Sequence, residues 1–559
     1  MKRILYCFAL IALFLGCKNS EKQASQNKPQ KRINPHLDFK PNIVWIVAED
    51  LSPYIPAFGD STIVTPALSE LAAEGVCYDN FFTAHPVCSP ARASIITGMY
   101  ANSIGASHMR TGPWFSDTVS DEVIKNYVYK PVENINYEAV PPAEVKMFTE
   151  YLRNAGYYCT NNKKEDYQFR KTMTAWDESS DNAHWRNRPG NTPFFSVFNI
   201  EVTHESRIWS KAKDSLWVDE DLEVDVPPYL PDTEIGKKDI RRMYSNILEM
   251  DHKTGQILEE LKSDGLMDST IVVWYTDHGG PLPRQKRLLY DSGLKVPMII
   301  RFPNGEFYGL RDDRIISFID LAPTVLSLAG IEPPNYMEGK AFLGPFMRTE
   351  EPEYAFGAAD RFDELTDHMR SVRDKRFKYI KNYELDKPVY SDVAYRKQMP
   401  IMQELLRLKD QNQLTPEQAL WFAYPKPEEE LYDLENDPHE LNNLAKNPAY
   451  QEQLKKMRQA CKEWTEKIGD TGLRPEKELI ESFWPNQEQP LTAAPETEFT
   501  NGVLSISCST KGASMGYRFT SEGPWKIYKE PIQLFSGQEI EIVAHRIGYE
   551  RSDTINFKP

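Results

Sequence analysis

The chain has 559 residues, 40% hydrophobic and 12% aromatic, enough apolar material for a large core and too much for a disordered chain. With 66 basic and 82 acidic residues the formal charge is -16, which argues against nonspecific nucleic-acid binding yet leaves room for a local basic pocket facing an anionic substrate. The 7 cysteines are scattered and do not spell a disulfide framework.

The N-terminus carries Lys2 and Arg3, an apolar run from Ile4 to Leu15, and then Gly16-Cys17. That run is short for a membrane span and has the layout of an export signal. A small residue before a cysteine at its end resembles a bacterial lipobox, with Cys17 as the lipidated first residue of the mature chain; an ordinary cleaved signal is the alternative. Residues 1–17 are therefore expected to be a lipoprotein signal and 18–40 a polar tether. The expected location is the periplasm or outer-membrane surface of a Gram-negative bacterium, with Cys17 as the membrane anchor.

From Pro41, "PNIVWIVAEDLS" is a continuous apolar run ending in Glu49 and Asp50, and "STIVVWYTDHGG" repeats the arrangement with Asp277 and His278. Runs apolar on both faces suit buried strands of a largely parallel sheet. Helical patterns lie between them, one ending at Gly156 and another at Gly265, each with glycine where a helix stops. Alternating strands and helices predict an α/β sandwich over 41–350, with ligands collecting at the carboxyl ends of the strands. Residues 351–482 read as a smaller α+β subdomain closed by a long amphipathic helix, 483–500 as a Pro/Gln/Thr-rich linker, and 501–559 as a small β-sandwich.

Within the first unit, "HPVCSPARASIITG" holds Cys88 at a predicted helix start, with Pro90 suited to the first turn and Gly98 to the end. Free N–H groups and a positive dipole end there attract anions, and Arg92 lies one turn on. Cys88-Ser89-Pro90-Ala91-Arg92 closely resembles the Cys-x-Pro-x-Arg signature of the type I sulfatases, in the alkaline phosphatase superfamily, and the likeness extends over about 41–480. The resemblance implies that a formylglycine-generating enzyme or anaerobic maturase oxidises Cys88 to formylglycine, whose hydrated aldehyde is the nucleophile. It also implies one divalent cation, Ca²⁺ in the first instance, held by residue 88 with Glu49, Asp50, Asp277 and His278; Glu49 replaces the family's Asp and His278 its Asn, adding a nitrogen donor that suits softer metals.

By the same resemblance Lys164 and Lys286 would hold sulfate oxygens, with Lys163, Arg284 and Arg287 crowding the two positions. His204, after the strand-like "PFFSVFNI", would protonate the leaving oxygen or touch the sulfate, and Asp166 stands where the family has a second histidine. Asp166 is a candidate substrate contact, and His108, Arg110, Asp360, Arg361 and Arg370 are candidate substrate contacts or, equally, ion pairs between subdomains. The terminal segment resembles the β-sandwich that follows chitobiase-like glycan enzymes, either packing or contacting glycan.

The implied activity is sulfate-ester hydrolysis on a sulfated polysaccharide, algal or animal, with ulvan among the candidates. An N-sulfoglucosamine sulfohydrolase-like activity stays open. Two rivals remain: a phosphate or phosphonate ester hydrolase on the same fold, and a non-catalytic sulfated-glycan binder in which Cys88 stays a thiol.

Overall fold

The computed structural model describes residues 33–111, 136–363, 365–519 and 523–559. The stretch expected to be an export signal, with Cys17, lies outside these residues. No helix among the described residues is long and apolar enough to cross a membrane.

Strands β1 (Asn42–Ala48), β2 (Val76–Phe82), β3 (Tyr158–Asn162), β4 (Glu178–Ser179), β5 (Phe194–Ile200), β6 (Thr270–Thr276), β7 (Met298–Arg301) and β8 (Leu310–Ser317) form one sheet in the order β4-β3-β5-β1-β6-β7-β2-β8. From β4 through β6 the pairs are parallel, and β7 alone runs against its neighbours β6 and β2. The apolar run of β1 explains why both faces are covered. Ile43, Trp45 and Val47 pack with Ile95, Phe148, Leu152 and Val325 on one side, while Val44, Ile46 and Ala48 pack with Ile240, Met243, Ile247 and Met250 on the other. The first set draws on helices Cys88–Thr97, Phe148–Asn154 and Leu321–Leu328, the second on the long helix Glu234–Ser263. The result is the expected α/β sandwich.

Reversal at β7 has a consequence for the site. Because β7 returns antiparallel, the whole 277–297 connection stays at the carboxyl edge of β6 and does not cross to the opposite end of the sheet. The glycines at its start permit the fold-back, since a Cβ on Gly279 would lie 2.2 Å from the Ser292 carbonyl oxygen.

Strands β9 (Ala355–Phe362), β10 (Leu365–Arg373), β11 (Phe377–Asn382) and β12 (Glu429–Asp433) make an antiparallel sheet against which helix Gln451–Ile468 packs through Leu454, Met457 and Cys461. The terminal unit is two small sheets: β13 (Glu496–Thr500), β14 (Val503–Ser507) and β17 (Ile532–Gln533) in one; β15 (Ser514–Arg518), β16 (Lys526–Ile527), β18 (Ile540–His545) and β19 (Ile555–Phe557) in the other. Strand β13 begins inside the stretch expected as linker. Trp484, at that stretch's start, is buried with Tyr137 and Ile480 and reaches the Gly548 carbonyl, so the connection is docked on both units.

The sandwich is seated by a half-buried lysine and a buried arginine from the catalytic unit. Lys146 donates to Gly512 O at 2.6 Å and Ser514 Oγ at 2.9 Å, and Arg153 donates to Trp525 O at 2.6 Å while pairing with Asp177 at 2.7 Å. Replacing Arg153 by Ala removes the donor to the Thr174 and Trp525 carbonyls and the cation beside Asp177, which keeps only the Cys159 N–H among the described residues, a loss of about 3 kcal/mol. Arg153→Ala is expected to make 483–500 sensitive to limited proteolysis under conditions where the wild type resists, with the catalytic unit still folded by circular dichroism.

Candidate active site

The site is assembled at the carboxyl ends of four adjacent parallel strands. Glu49 and Asp50 follow β1, Asp277 and His278 follow β6, the 201–205 turn with His204 follows β5, and Lys164 lies just past β3. Ala48 and Thr276 are register partners, so the two acidic pairs leave the sheet side by side. They are then knitted together: Asp277 N–H donates to Ala48 O at 3.1 Å, Asp50 N–H to Asp277 Oδ1 at 3.1 Å, and Leu51 N–H to His278 O at 3.1 Å. Asp50 adopts φ +43, a left-handed conformation that Asp tolerates better than most residues and that turns its carboxylate inward.

Cys88 is the first residue of helix Cys88–Thr97, which stops at Gly98 with φ +69, as its sequence indicated. The thiol is fully buried, 3.2 Å from His278 Nε2 and 3.7 Å from Lys286 Nζ. Arg92, one turn along, pairs with Asp277 at 3.1 Å and Glu49 at 3.5 Å and donates to Asn199 Oδ1 at 2.8 Å. Lys164 pairs with Glu49 at 2.6 Å and lies 3.8 Å from Asp166, whose Oδ1 accepts from Ser89 Oγ at 3.1 Å. Lys286 pairs with Asp50 at 2.8 Å and Glu205 at 3.2 Å, and sits 3.3 Å from His204 Nε2.

The flanking cations go elsewhere. Lys163 is exposed and pairs with Asp181, while Arg284 donates to the His439 and Glu440 carbonyls and stacks on Tyr290.

Burial works against every one of these charges, and the ion pairs decide which survive. Asp50 is held well below the usual carboxylate range because Lys286, His204 and His278 outweigh its desolvation. Asp277 falls to about 2 in the same way, through His278 and Arg92. Glu49 goes the other way, because burial and the neighbouring Asp277 outweigh Lys164 and Arg92. Burial would lower His278, yet Asp277 and Asp50 lift it to about 10. His204 is pushed down to about 3, by burial first and Lys286 second, so its ring is neutral in the resting site. A neutral ring is suited to hydrogen-bonding an anion, not to storing an acidic proton.

The donor set fits a divalent cation. Ligand atoms of Cys88, Asp277 and His278, and of Asp50, Cys88 and His204, lie within 4.8 Å of one another, while Glu49, buried close by, is paired with Lys164 and Arg92 and stands outside both groups. His278 Nδ1 is 3.0 Å from Gly279 O, and Nε2 faces Asp50 Oδ1 at 3.0 Å; a cation bound there would displace the Nε2 proton, leaving the Nδ1 proton on the Gly279 carbonyl and Nε2 as a nitrogen ligand.

The candidate substrate contacts divide. Arg110 lies near the mouth, 3.8 Å from Asp363. Arg361 pairs with Glu476 at 2.6 Å, and Arg370, with no exposed side-chain surface, pairs with Asp360 at 2.8 Å and Asp470 at 2.5 Å. Asp360, Arg361 and Arg370 thus form interior ion pairs, inside the smaller subdomain and not between subdomains. His108 is buried beneath them, its Nδ1 accepting from Arg361 N–H at 3.3 Å. A substrate contact needs an accessible polar head, which these four lack.

Two residues that matter to the geometry carried no sequence signal of their own. Asn199 fixes Arg92 from within β5, and Glu205 anchors Lys286 and Arg287, which in turn reaches Asp363 at 2.6 Å. The only pointer to Glu205 was its place beside His204.

A sandwich of this topology, with acidic pairs at the ends of β1 and β6 facing a helix N-terminus, has the plan of an alkaline-phosphatase-superfamily hydrolase. The sulfatase family model matches residues 41–331, and the model for the C-terminal part of N-sulphoglucosamine sulphohydrolase matches 284–415. The chain is 45% identical to an ulvan-active sulfatase of Formosa agariphila over 99% of its own length and 97% of that protein. It is 26% identical to human N-sulphoglucosamine sulphohydrolase over 80% of this chain and 95% of the human one. A solved structure, BT4656 in complex with its substrate D-glucosamine-2-N,6-O-disulfate, superposes with a TM-score of 0.54 at 17% identity over 78% of this chain and all of that one. The chain belongs to the sulfatase family and is a sulfuric ester hydrolase.

The ion-pair assignment makes Arg370 a stability residue. Arg370→Ala strands two buried carboxylates and should cost about 3–5 kcal/mol. Urea unfolding will show a lowered midpoint; an unchanged midpoint with a raised KM would restore the substrate-contact role.

Proposed function

We propose that this protein removes sulfate esters from a sulfated polysaccharide or its oligosaccharides, using Cys88 oxidised to formylglycine. The observation that carries the reading is the placement of Cys88 at a helix N-terminus between Lys286, His278 and the Arg92–Asp277 pair. Ulvan is favoured as the polymer, because the relative alike over nearly the whole chain is an ulvan-active sulfatase. The exported lipoprotein reading agrees with such a substrate: a polymer too large to enter the cell is met at the outer surface, on an anchor at Cys17.

In the resting protein, Arg92 is clamped by Asp277 and Asn199, so its guanidinium holds the residue-88 end of the helix against the acidic cluster. Lys286 and Lys164 bring positive charge to either side of residue 88, where they bind and orient the sulfate oxygens and offset charge that develops in the transition state. His204, neutral and held at Nδ1 by Ser206, hydrogen-bonds the sulfate or its leaving oxygen. The hydrated aldehyde at residue 88 supplies the nucleophilic oxygen. Glu49, Asp50, Asp277 and His278 would hold a divalent cation, which would supply Lewis-acid polarisation of that oxygen.

Two outcomes test the reading. With residue-88 oxidation confirmed by mass spectrometry, wild type should release sulfate from ulvan oligosaccharides while Cys88→Ala releases none; phosphate-ester cleavage without sulfate release would favour the phosphatase rival. Dialysis against chelator should abolish turnover, and calorimetric titration should then show one divalent ion rebinding per chain. His278→Asn, which restores an oxygen donor, should shift preference toward Ca²⁺ over Mn²⁺ in that titration.

A further inference from the structure

The terminal β-sandwich and the active-site rim share a cavity of about 490 Å³, within the range of small-molecule clefts. One wall is the 165–173 segment, directly after Lys164; the opposite wall is the end of β18 and the turn behind it, through His545, Tyr549 and Arg551. Asp166 belongs to both places, lining the cavity while bonded to Ser89 beside Cys88. The cavity therefore abuts the reaction centre. Arg153 and Lys146 are among the donors that seat the sandwich beside it, and the backbone packs closely at Gly548, where a Cβ would meet Ala139 O at 2.4 Å.

The lining chemistry points to a sugar. Tyr549 is half-buried, with Arg546 over one face at 4.5 Å and Nη1 of that arginine 3.1 Å from its hydroxyl, so the ring is held rigid. His545 is 5% exposed and its Nδ1 has no hydrogen-bond partner, while Nε2 faces Tyr549 O at 3.2 Å. Glu165, Asp166 and Glu550 are balanced by Arg170, Lys171 and Arg551. Lys171 is taken up by Glu165 and Arg170 by Glu138, whereas Arg551 is exposed and forms no ion pair among the described residues. A cavity of near-zero net charge with one open arginine suits a neutral or singly anionic sugar, not a densely sulfated one.

We propose that this cavity is a subsite for the sugar next to the sulfated residue, with Tyr549 as the ring platform and Arg551 pairing a carboxylate. The proposal rests on the glycan-sulfatase reading and deepens it: the substrate is an alternating chain in which a sulfated sugar is followed by a uronic acid or an uncharged sugar, and the accessory sandwich reads that neighbour. The terminal unit is thus part of the substrate cleft.

The test separates binding from turnover. The full-length Cys88→Ala protein is titrated calorimetrically with ulvan di- and tetrasaccharides, alone and carrying Arg551→Ala, Tyr549→Ala or Tyr549→Phe. The tetrasaccharide should bind more tightly than the disaccharide; Arg551→Ala and Tyr549→Ala should each remove about tenfold of that gain, and Tyr549→Phe should keep it. Disaccharide affinity should stay the same in all variants, which excludes general misfolding. Equal affinities for the two lengths, or a length dependence that survives both alanine variants, overturns the subsite. Absence of sulfate release by the oxidised wild type would instead overturn the sulfatase mechanism, whatever the binding series shows.

Discussion

The whole centre depends on one constraint: carboxylates massed at the ends of adjacent strands, out of water, have to be neutralised on the spot. Glu49, Asp50, Asp277 and Glu205 are all buried. Arg92, Lys164 and the adjacent pair Lys286–Arg287 answer them, from three different segments of chain. An uncompensated buried charge costs several kcal/mol, so the fold can close only with these cations in place. The same arrangement gathers Lys286, Arg92 and the metal-binding groups Asp50, Asp277 and His278 around residue 88.

That neutralising network extends outward in shells that the ion pairs themselves define. Glu205 ties Lys286 to Arg287, and Arg287 ties the catalytic unit to Asp363 at the tip of β9. Behind it, Asp360, Arg370 and Asp470 lock the smaller subdomain internally. The smaller sheet therefore supports the site through electrostatics it shares with the centre, its Asp360, Arg361 and Arg370 being spent on interior ion pairs. The terminal sandwich is attached differently, through lysine and arginine donors to backbone carbonyls, and it borders a cavity of mixed charge.

The strand ends were legible because each of them couples an apolar run to a polar stop. "NIVWIVAED" and "TIVVWYTDH" leave no other place for their carboxylates than the carboxyl edge of a buried sheet. The helix at Cys88 was equally legible from Pro90 and Gly98. The ion partners were not. Arg370 and Arg110 look alike in sequence, and it is the pairing across strands with Asp360 and with Asp470, 100 residues further on, that makes the first a structural residue. Asn199 and Glu205 are invisible for the same reason, since hydrogen bonds across the sheet obey register and not sequence distance.

The sequence by itself determined the α/β sandwich, the family signature around Cys88 and the acidic pairs, because local periodicity and short motifs are properties of neighbouring residues. Tertiary structure alone decided that Lys164 and not Lys163 turns inward, that β7 reverses and so keeps Lys286 at the site, and that three candidate substrate contacts are interior ion pairs. It also decided that the terminal sandwich is docked against the rim of the active site. The physical reason is common to all four. Each depends on where distant segments meet, and burial makes those meetings count by removing water as a partner for every charge involved.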